Sequence, residues 1–305
     1  MELNLLHFMW ISFSFIVTFS GLNVLYLKEN LPYIFVRLYS FGKVNKSLSK
    51  RNSVLKYLEI PKRYFSHFYI FASLFIPFVL TGVCRKYIWG SSSQFLIYLL
   101  DHFASKSRHG TVDAESVIVL GALLCLQVFR RCYECLFLSV YSDSKINILH
   151  YFVGFSFYFG AGLSLIHDAV GFEGAKQRVY ISDQWWIWRH IIGTIIFLFG
   201  FILQYYTHRS FALLRKTTGG KVVSTAHYMP CGGFFEYVSC PHYFAEIVMY
   251  LSGCLILGGK SYTWWLLCLW VVTNQVLTGL MSHQWYRQKF ENYPLKRKAV
   301  IPFIV

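Results

Sequence analysis

The residues whose chemistry needs explaining are the ionisable ones set inside apolar stretches. Gln127-Val128-Phe129-Arg130-Arg131-Cys132-Tyr133-Glu134 interrupts one such stretch. An ionised side chain at mid-bilayer costs about 3 kcal/mol or more unless it is paired or faces water. Arg130 or Arg131 and Glu134 are three to four residues apart, so they share a helical face and can pair. Two arginines against one glutamate leave one positive charge unmatched, which the phosphates of a nucleotide would balance. A purely structural ion pair is the alternative. His242 and Glu246 lie at i and i+4 in Pro241-His242-Tyr243-Phe244-Ala245-Glu246. A zinc site of the H-E-x-x-H kind needs a second histidine there. The spacing therefore predicts a polar ligand contact and no metal.

Two further polar stretches belong with these. One holds Gln204, His208, Arg209, Arg215, Lys216 and His227-Tyr228-Met229-Pro230; the other holds His283, Tyr286, Arg287, Lys289 and Tyr293-Pro294-Leu295-Lys296-Arg297-Lys298. Any lone Lys or Arg among them reads by default as topology signal. Together they predict a mouth rich in Arg, His and Tyr, which suits a phosphorylated planar ligand. No G-x-G-x-x-G, P-loop or nucleophile elbow occurs, so side chains must hold any dinucleotide. Cys132 and Cys135 form a lone C-x-x-C in an apolar run and read as small packing residues.

The elements that would position these groups are membrane helices. Of the 305 residues, 55% are hydrophobic, 20% aromatic and only 14% charged, against about 25% charged in a soluble domain. About 20 apolar residues cross a bilayer as a helix. Seven segments are predicted to do so: 5–27, 64–84, 114–141, 146–169, 186–207, 243–259 and 262–282. The expected fold is an all-α integral membrane bundle of seven transmembrane helices in a single domain, 1–305. The first span is too long for a signal h-region and lacks a basic n-region, so it reads as a retained anchor. Residues 91–100 are apolar but too short to span. The net charge of +15 does not imply nucleic acid, because the basic residues sit in loops between apolar segments; anionic lipid is the simpler partner. No obligate protein partner is evident. Loops on one side carry 19 Lys and Arg and those on the other carry 7. That bias predicts an outside or lumenal N-terminus and a cytosolic C-terminus.

The C-terminal third is also more than generic. Phe235-Glu236-Tyr237-Val238-Ser239-Cys240-Pro241-His242-Tyr243-Phe244-Ala245-Glu246, His283-Gln284-Trp285-Tyr286 and Tyr293-Pro294-Leu295-Lys296-Arg297-Lys298-Ala299-Val300-Ile301-Pro302-Phe303 resemble the steroid 5-alpha-reductase family. Ile60-Pro61-Lys62-Arg63-Tyr64-Phe65-Ser66-His67-Phe68-Tyr69 and the Gln-x-Phe-Arg-Arg run resemble its polyprenal (polyprenol) reductase branch. The resemblance implies a seven-helix oxidoreductase of the endoplasmic reticulum that takes NADPH from the cytosol. It further implies that Arg131, Gln204, His208, Arg215, His242, Glu246 and Tyr286 hold the cofactor, with His227 and His283 nearby. Glu59, just before Ile60-Pro61, matches an acidic residue that contacts the substrate carbonyl in steroid reductases. Three positions depart from the steroid pattern. Val128 stands where the partner tyrosine of that acid belongs, His208 replaces an aspartate, and His242 replaces an asparagine.

Hydride adds readily to a carbon–carbon double bond only when a conjugated carbonyl takes up the charge, which favours polyprenal over polyprenol. The oxygen needs a donor, here Glu59 in its protonated form, and the α-carbon needs a proton, for which Tyr286 or another buried tyrosine is the source. The expected function is saturation of the α-isoprene unit, supplying dolichol for protein N-glycosylation, with the isoprenoid lipid entering from the membrane. The rivals are a 3-oxo-5-alpha-steroid 4-dehydrogenase or enoyl thioester reductase of the same family, and an isoprenylcysteine-type methyltransferase. A transporter would show an internal repeat, and the halves show none. The sequon Asn45-Lys46-Ser47 tests the topology. On the cytosolic side it stays unglycosylated, and a glycosidase-sensitive mass at Asn45 would reverse the orientation.

Overall fold

In the computed structural model, residues 4–39, 58–142, 144–173 and 187–305 are described; the Asn45 sequon lies outside them. The described residues form α1 (Leu5–Tyr26), α2 (Tyr33–Tyr39), β1 (Glu59–Pro61), α3 (Phe65–Trp89), α4 (Gln94–Phe103), α5 (Ala114–Tyr133), β2 (Lys145–Asn147), α6 (Ile148–His167), α7 (Trp188–Leu213), α8 (Pro241–Ile256) and α9 (Tyr262–Lys289). Among them six helices, α1, α3, α5, α6, α7 and α9, are long and apolar enough to cross a membrane. The chain is a multi-pass membrane protein.

A helix runs through each predicted segment, and the helix ends differ from the predicted ones in ways that matter for the site. α7 runs six residues past the predicted 207, and α9 seven past 282, to Lys289. His208, His283 and Tyr286 therefore stand on rigid helix, where loop was expected. α8 is 16 residues long, with Pro241 in its first turn, where the missing proline N–H would have no helical partner. At about 1.5 Å per residue it is short for a bilayer crossing. Gly258 and Gly259, at φ 64° and 71°, make the break before α9. The short apolar run near 91–100 is α4, with Leu96, Leu99 and Leu100 buried.

α7 packs along α8, α3 against α5 and α6, and α9 against α1 and α8. Three large rings tie the middle of the bundle. Trp10 of α1 lies 6.0 Å from both Phe157 of α6 and Trp270 of α9, and those two are 4.9 Å apart. The fully buried Trp10 donates its Nε1–H to Ser164 Oγ at 3.0 Å, so the indole is not left with an unmade bond. A Cβ at Gly253 would stand 2.6 Å from Trp264 Nε1, so α8 and α9 can approach only with glycine there. The C-terminal residues fold back on the bundle. Ser239 and Cys240 donate backbone N–H to Lys298 and Ala299 at 2.8 and 3.0 Å, and Val300 is fully buried. β1 and β2 pair antiparallel with Ile60 opposite Ile146, closing the end of the bundle near the C-terminus of α5.

The opposite end of α5 is held by Asp113, the N-cap. Its carboxylate accepts from the Ser116 N–H at 3.1 Å and from Arg189 of α7 at 2.5 Å. Burial works against ionisation, yet the Ser116 hydroxyl and the Arg189 cation hold the carboxyl below its ordinary 3.8. A depressed acid stabilises above its unfolded value and loses that contribution as pH falls through the folded value. Asp113→Asn keeps the cap but not the ion pair. Its thermal midpoint in detergent should lie below wild type at pH 7, and the gap should close below about pH 4. A gap that is constant with pH would rule out the ion pair as its source.

Candidate active site

A cavity of about 730 Å³ opens among α1, α2, α3, α5, α6, α7, α8 and α9. That size is typical of a pocket for a cofactor or small ligand. Eight of the ten residues singled out in the sequence line it: Arg131, Gln204, His208, Arg215, His227, His242, Glu246 and Tyr286. The other two, Glu59 and His283, do not.

The polar wall is built by helical spacing. On α5, Gln127, Arg130 and Arg131 lead into Glu134, where the helix loosens into a π turn, Glu134–Leu138. Such turns recur at functional sites because they re-aim side chains. Glu134 is fully buried. It accepts from Arg131, faces Arg130 at 3.5 Å and stands 2.8 Å from His208 Nδ1. The same Nδ1 is 2.6 Å from Arg131. One nitrogen cannot serve both at once: protonated it donates to Glu134, and unprotonated it accepts from Arg131.

Gln204, one turn before His208 on α7, joins this group to α8. Its amide N–H reaches Glu246, while its oxygen accepts from Gln127 at 2.9 Å and from Arg130. The count of two arginines to one glutamate is corrected by this arrangement. Glu246 supplies the second carboxylate, so the buried cluster carries as many acids as arginines. The sequence could not show it, because the link between α5 and α8 passes through a neutral side chain. Burial makes these charges costly, and their pairing and hydrogen bonds to one another offset that cost.

The mouth is made by the end of α9 and by segments beyond the helix ends. Arg215 donates to Val140 O at 2.6 Å and Ala226 O at 3.0 Å, bridging the turn after α5 to the segment after α7. Burial draws its guanidinium below the ordinary value, with Tyr286 and Tyr228 acting against that shift. The His227 ring packs 5.5 Å from Trp285, and the Tyr286 ring stacks on Tyr293 at 5.9 Å. His283 lies behind this wall, with Nδ1 2.6 Å from Ser239 Oγ, a hydroxyl that also donates to Lys298 O. His283 thus fastens the C-terminal segment to α9.

Glu59 is placed differently from the expectation. Its Oε1 accepts from Arg37 Nη2 at 2.8 Å and Nε at 3.1 Å, tying β1 to α2. Arg37 is 22 positions away, so no local spacing announced the pair. Sequence reading also missed Tyr69, whose hydroxyl accepts from Arg131 Nη2 at 3.0 Å and Nε at 3.3 Å. A single tyrosine in an aromatic-rich helix carries no signal of its own. Much of the remaining lining is apolar: Phe65 and Phe68 of α3, Phe157 of α6, Trp270 and Val271 of α9, and Ile16 and Val17 of α1, with His150 of α6 and Asn274, Gln275 and Thr278 of α9 as polar exceptions.

Removing one partner of a buried ion cluster strands the others, at a cost of about 3–5 kcal/mol. Glu134→Ala should therefore unfold in detergent well below wild type, while Glu134→Gln, which keeps an acceptor, should lose less. Equal midpoints for Glu134→Ala and wild type would show that the cluster adds nothing to stability.

The chain is similar over nearly its whole length to known reductases. It is 34% identical over 281 residues to the polyprenal reductase of Danio rerio, covering 92% of this chain and 90% of that protein. It is 36% identical over 276 residues to the polyprenal reductase of Xenopus tropicalis, covering 89% and 88%. The Drosophila melanogaster polyprenal reductase aligns over 313 positions at 33% identity, covering 100% and 94%. Residues 144–305, which carry α6 to α9 and the C-terminal segment, match the 3-oxo-5-alpha-steroid 4-dehydrogenase family. The chain belongs to the 3-oxo-5-alpha-steroid 4-dehydrogenase family of oxidoreductases.

Proposed function

We propose that this protein reduces the α-isoprene double bond of polyprenal with NADPH, giving dolichal and so feeding dolichol synthesis for protein N-glycosylation. The observation that carries the reading is one cavity with two characters. Its lining joins a cluster of Arg, Gln, His and Glu to a larger set of Phe, Trp, Val and Ile, with Asn274, Gln275 and Thr278 of α9 between. Full-length similarity to proteins named polyprenal reductase supports the choice of lipid.

The donor set fits a nicotinamide dinucleotide. Arg215 and His227 at the mouth would meet phosphates, for which a guanidinium fork is suited. Arg131, Gln204, His208, His242 and Glu246 would hold the polar rings deeper in, and His283 would support the segment behind Tyr286. When bound, the reduced nicotinamide supplies the hydride that adds to the β-carbon of the enal. The displaced electron pair moves to the carbonyl oxygen, and the α-carbon then takes a proton, which we assign to Tyr286 Oη. The apolar wall excludes water and keeps the isoprenoid tail in contact with lipid.

In this reading residues 1–305 form one domain in the membrane of the endoplasmic reticulum. α8 completes a seven-helix bundle, its short length offset by burial against α7 and α9. The N-terminus is lumenal and the C-terminus cytosolic, so NADPH enters from the cytosol and anionic lipid meets the basic loops. The test is a lipid-product assay on purified protein. With NADPH it should convert polyprenal to dolichal, and Arg215→Ala should weaken NADPH binding about tenfold through loss of one charged contact. Equal or faster turnover of a 4-ene-3-ketosteroid would move the substrate to steroids. Binding of S-adenosylmethionine in place of NADPH would reject a reductase altogether.

A further inference from the structure

A carbonyl-activating donor must touch the substrate oxygen, and Glu59 does not line the cavity. Val128 removes the other residue that steroid reductases use. Tyr69 fills the gap by position. It lies on α3 between the two walls: Arg131 is on one side, and on the other the rings of Phe68 and Tyr158 stand 4.9 and 5.5 Å away. An aldehyde head on a hydrocarbon tail would come to rest at that junction, with polar groups ahead and apolar side chains behind.

The hydrogen bonding sets the direction of the Tyr69 proton. Two guanidinium N–H groups donate to the phenol oxygen, so that oxygen is already an acceptor and its own O–H must point elsewhere. Donation into the oxygen also polarises the O–H and strengthens it toward a further acceptor. Arg131 is itself held by Glu134, which keeps the hydroxyl preorganised. Tyr39, another tyrosine of the cavity, already donates its proton to Val17 O at 3.2 Å.

We propose that Tyr69 is the catalytic donor that hydrogen-bonds the carbonyl oxygen of the unsaturated aldehyde. The proposal rests on the polyprenal reading for its substrate. Tyr69 forms no covalent bond and gives up no proton; it stabilises the negative charge that gathers on oxygen while the β-carbon is reduced. Loss of one such donor typically lowers turnover about 100-fold or more.

The test compares full-length wild type with Tyr69→Phe in detergent, measuring turnover of polyprenal, NADPH affinity by fluorescence, and the infrared carbonyl stretch of bound ¹³C-labelled dolichal. The expected result is a roughly 100-fold fall in turnover, NADPH affinity within threefold, and a carbonyl band that moves to higher frequency in the variant. Turnover within threefold of wild type, or an unmoved carbonyl band, overturns the proposal. So does a parallel loss of NADPH affinity, which would make Tyr69 a support for Arg131. If Tyr69→Phe does not fold, 3-fluorotyrosine at this position keeps the shape and strengthens the donor. The band must then fall below that of wild type, and an unchanged band rejects the assignment. Wild type that binds dolichal with a lowered carbonyl band but reduces no polyprenal would sink the polyprenal reading and leave the Tyr69 contact standing.

Discussion

The rest of the structure is arranged around one constraint: charges carried into a low-dielectric bundle must find partners there. Glu134, fully buried, is the centre of that arrangement. It draws Arg131, Arg130 and His208 together, and Gln204 relays the same network to Glu246. Three helices are held in register by these contacts. The close packing of α7 on α8 brings His208 and His242 within 5.7 Å, ring to ring. Ridge-on-ridge packing of apolar side chains could tolerate small slips along the helices. A hydrogen-bonded charge cluster does not, because each lost bond leaves a buried ion unsatisfied.

That rigidity is what lets one cavity serve two unlike ligands. The ion cluster forms a fixed polar wall, and the aromatic and aliphatic residues of α3, α6 and α9 form an apolar one. A water-soluble dinucleotide and a membrane lipid can therefore approach from different directions and meet at their boundary. Arg131 sits at this meeting point, bonded to Glu134 and to Tyr69. Its charge is satisfied by the protein, so its contribution to a ligand is orientation and polarisation more than free positive charge.

Much of this was legible in the sequence, for identifiable reasons. Long apolar runs located the helices, since bilayer thickness sets their length. The run Gln127 to Glu134 and the pair His242 and Glu246 stood out because lipid forbids such residues without cause. Eight of the ten residues that the resemblance implied share one cavity; six stand on helices, and Arg215 and His227 reach it from the segment after α7. What stayed hidden depends on contacts between distant segments. The Arg37–Glu59 pair joins α2 to β1 across residues with no common pattern. Hydrogen bonds link the Glu246 carboxylate to the arginines through Gln204, so counting charges along α5 missed it. α7 and α9 extend past their apolar stretches with Ala212 and Tyr286 buried among exposed polar residues, and hydropathy alone ends a helix where its apolar residues end. Tyr69 is one of 22 tyrosines, and only the geometry around its hydroxyl distinguishes it.

The central claim is that cofactor and lipid share the cavity lined by Arg131, Gln204, His208 and Glu246. Electron cryomicroscopy of the full-length protein with NADPH and dolichal tests it most directly. The claim predicts dinucleotide density running from Arg215 and His227 to Arg131, with lipid density along Phe68, Phe157 and Trp270. Nucleotide bound elsewhere on the protein, with this cavity filled by lipid alone, would contradict it.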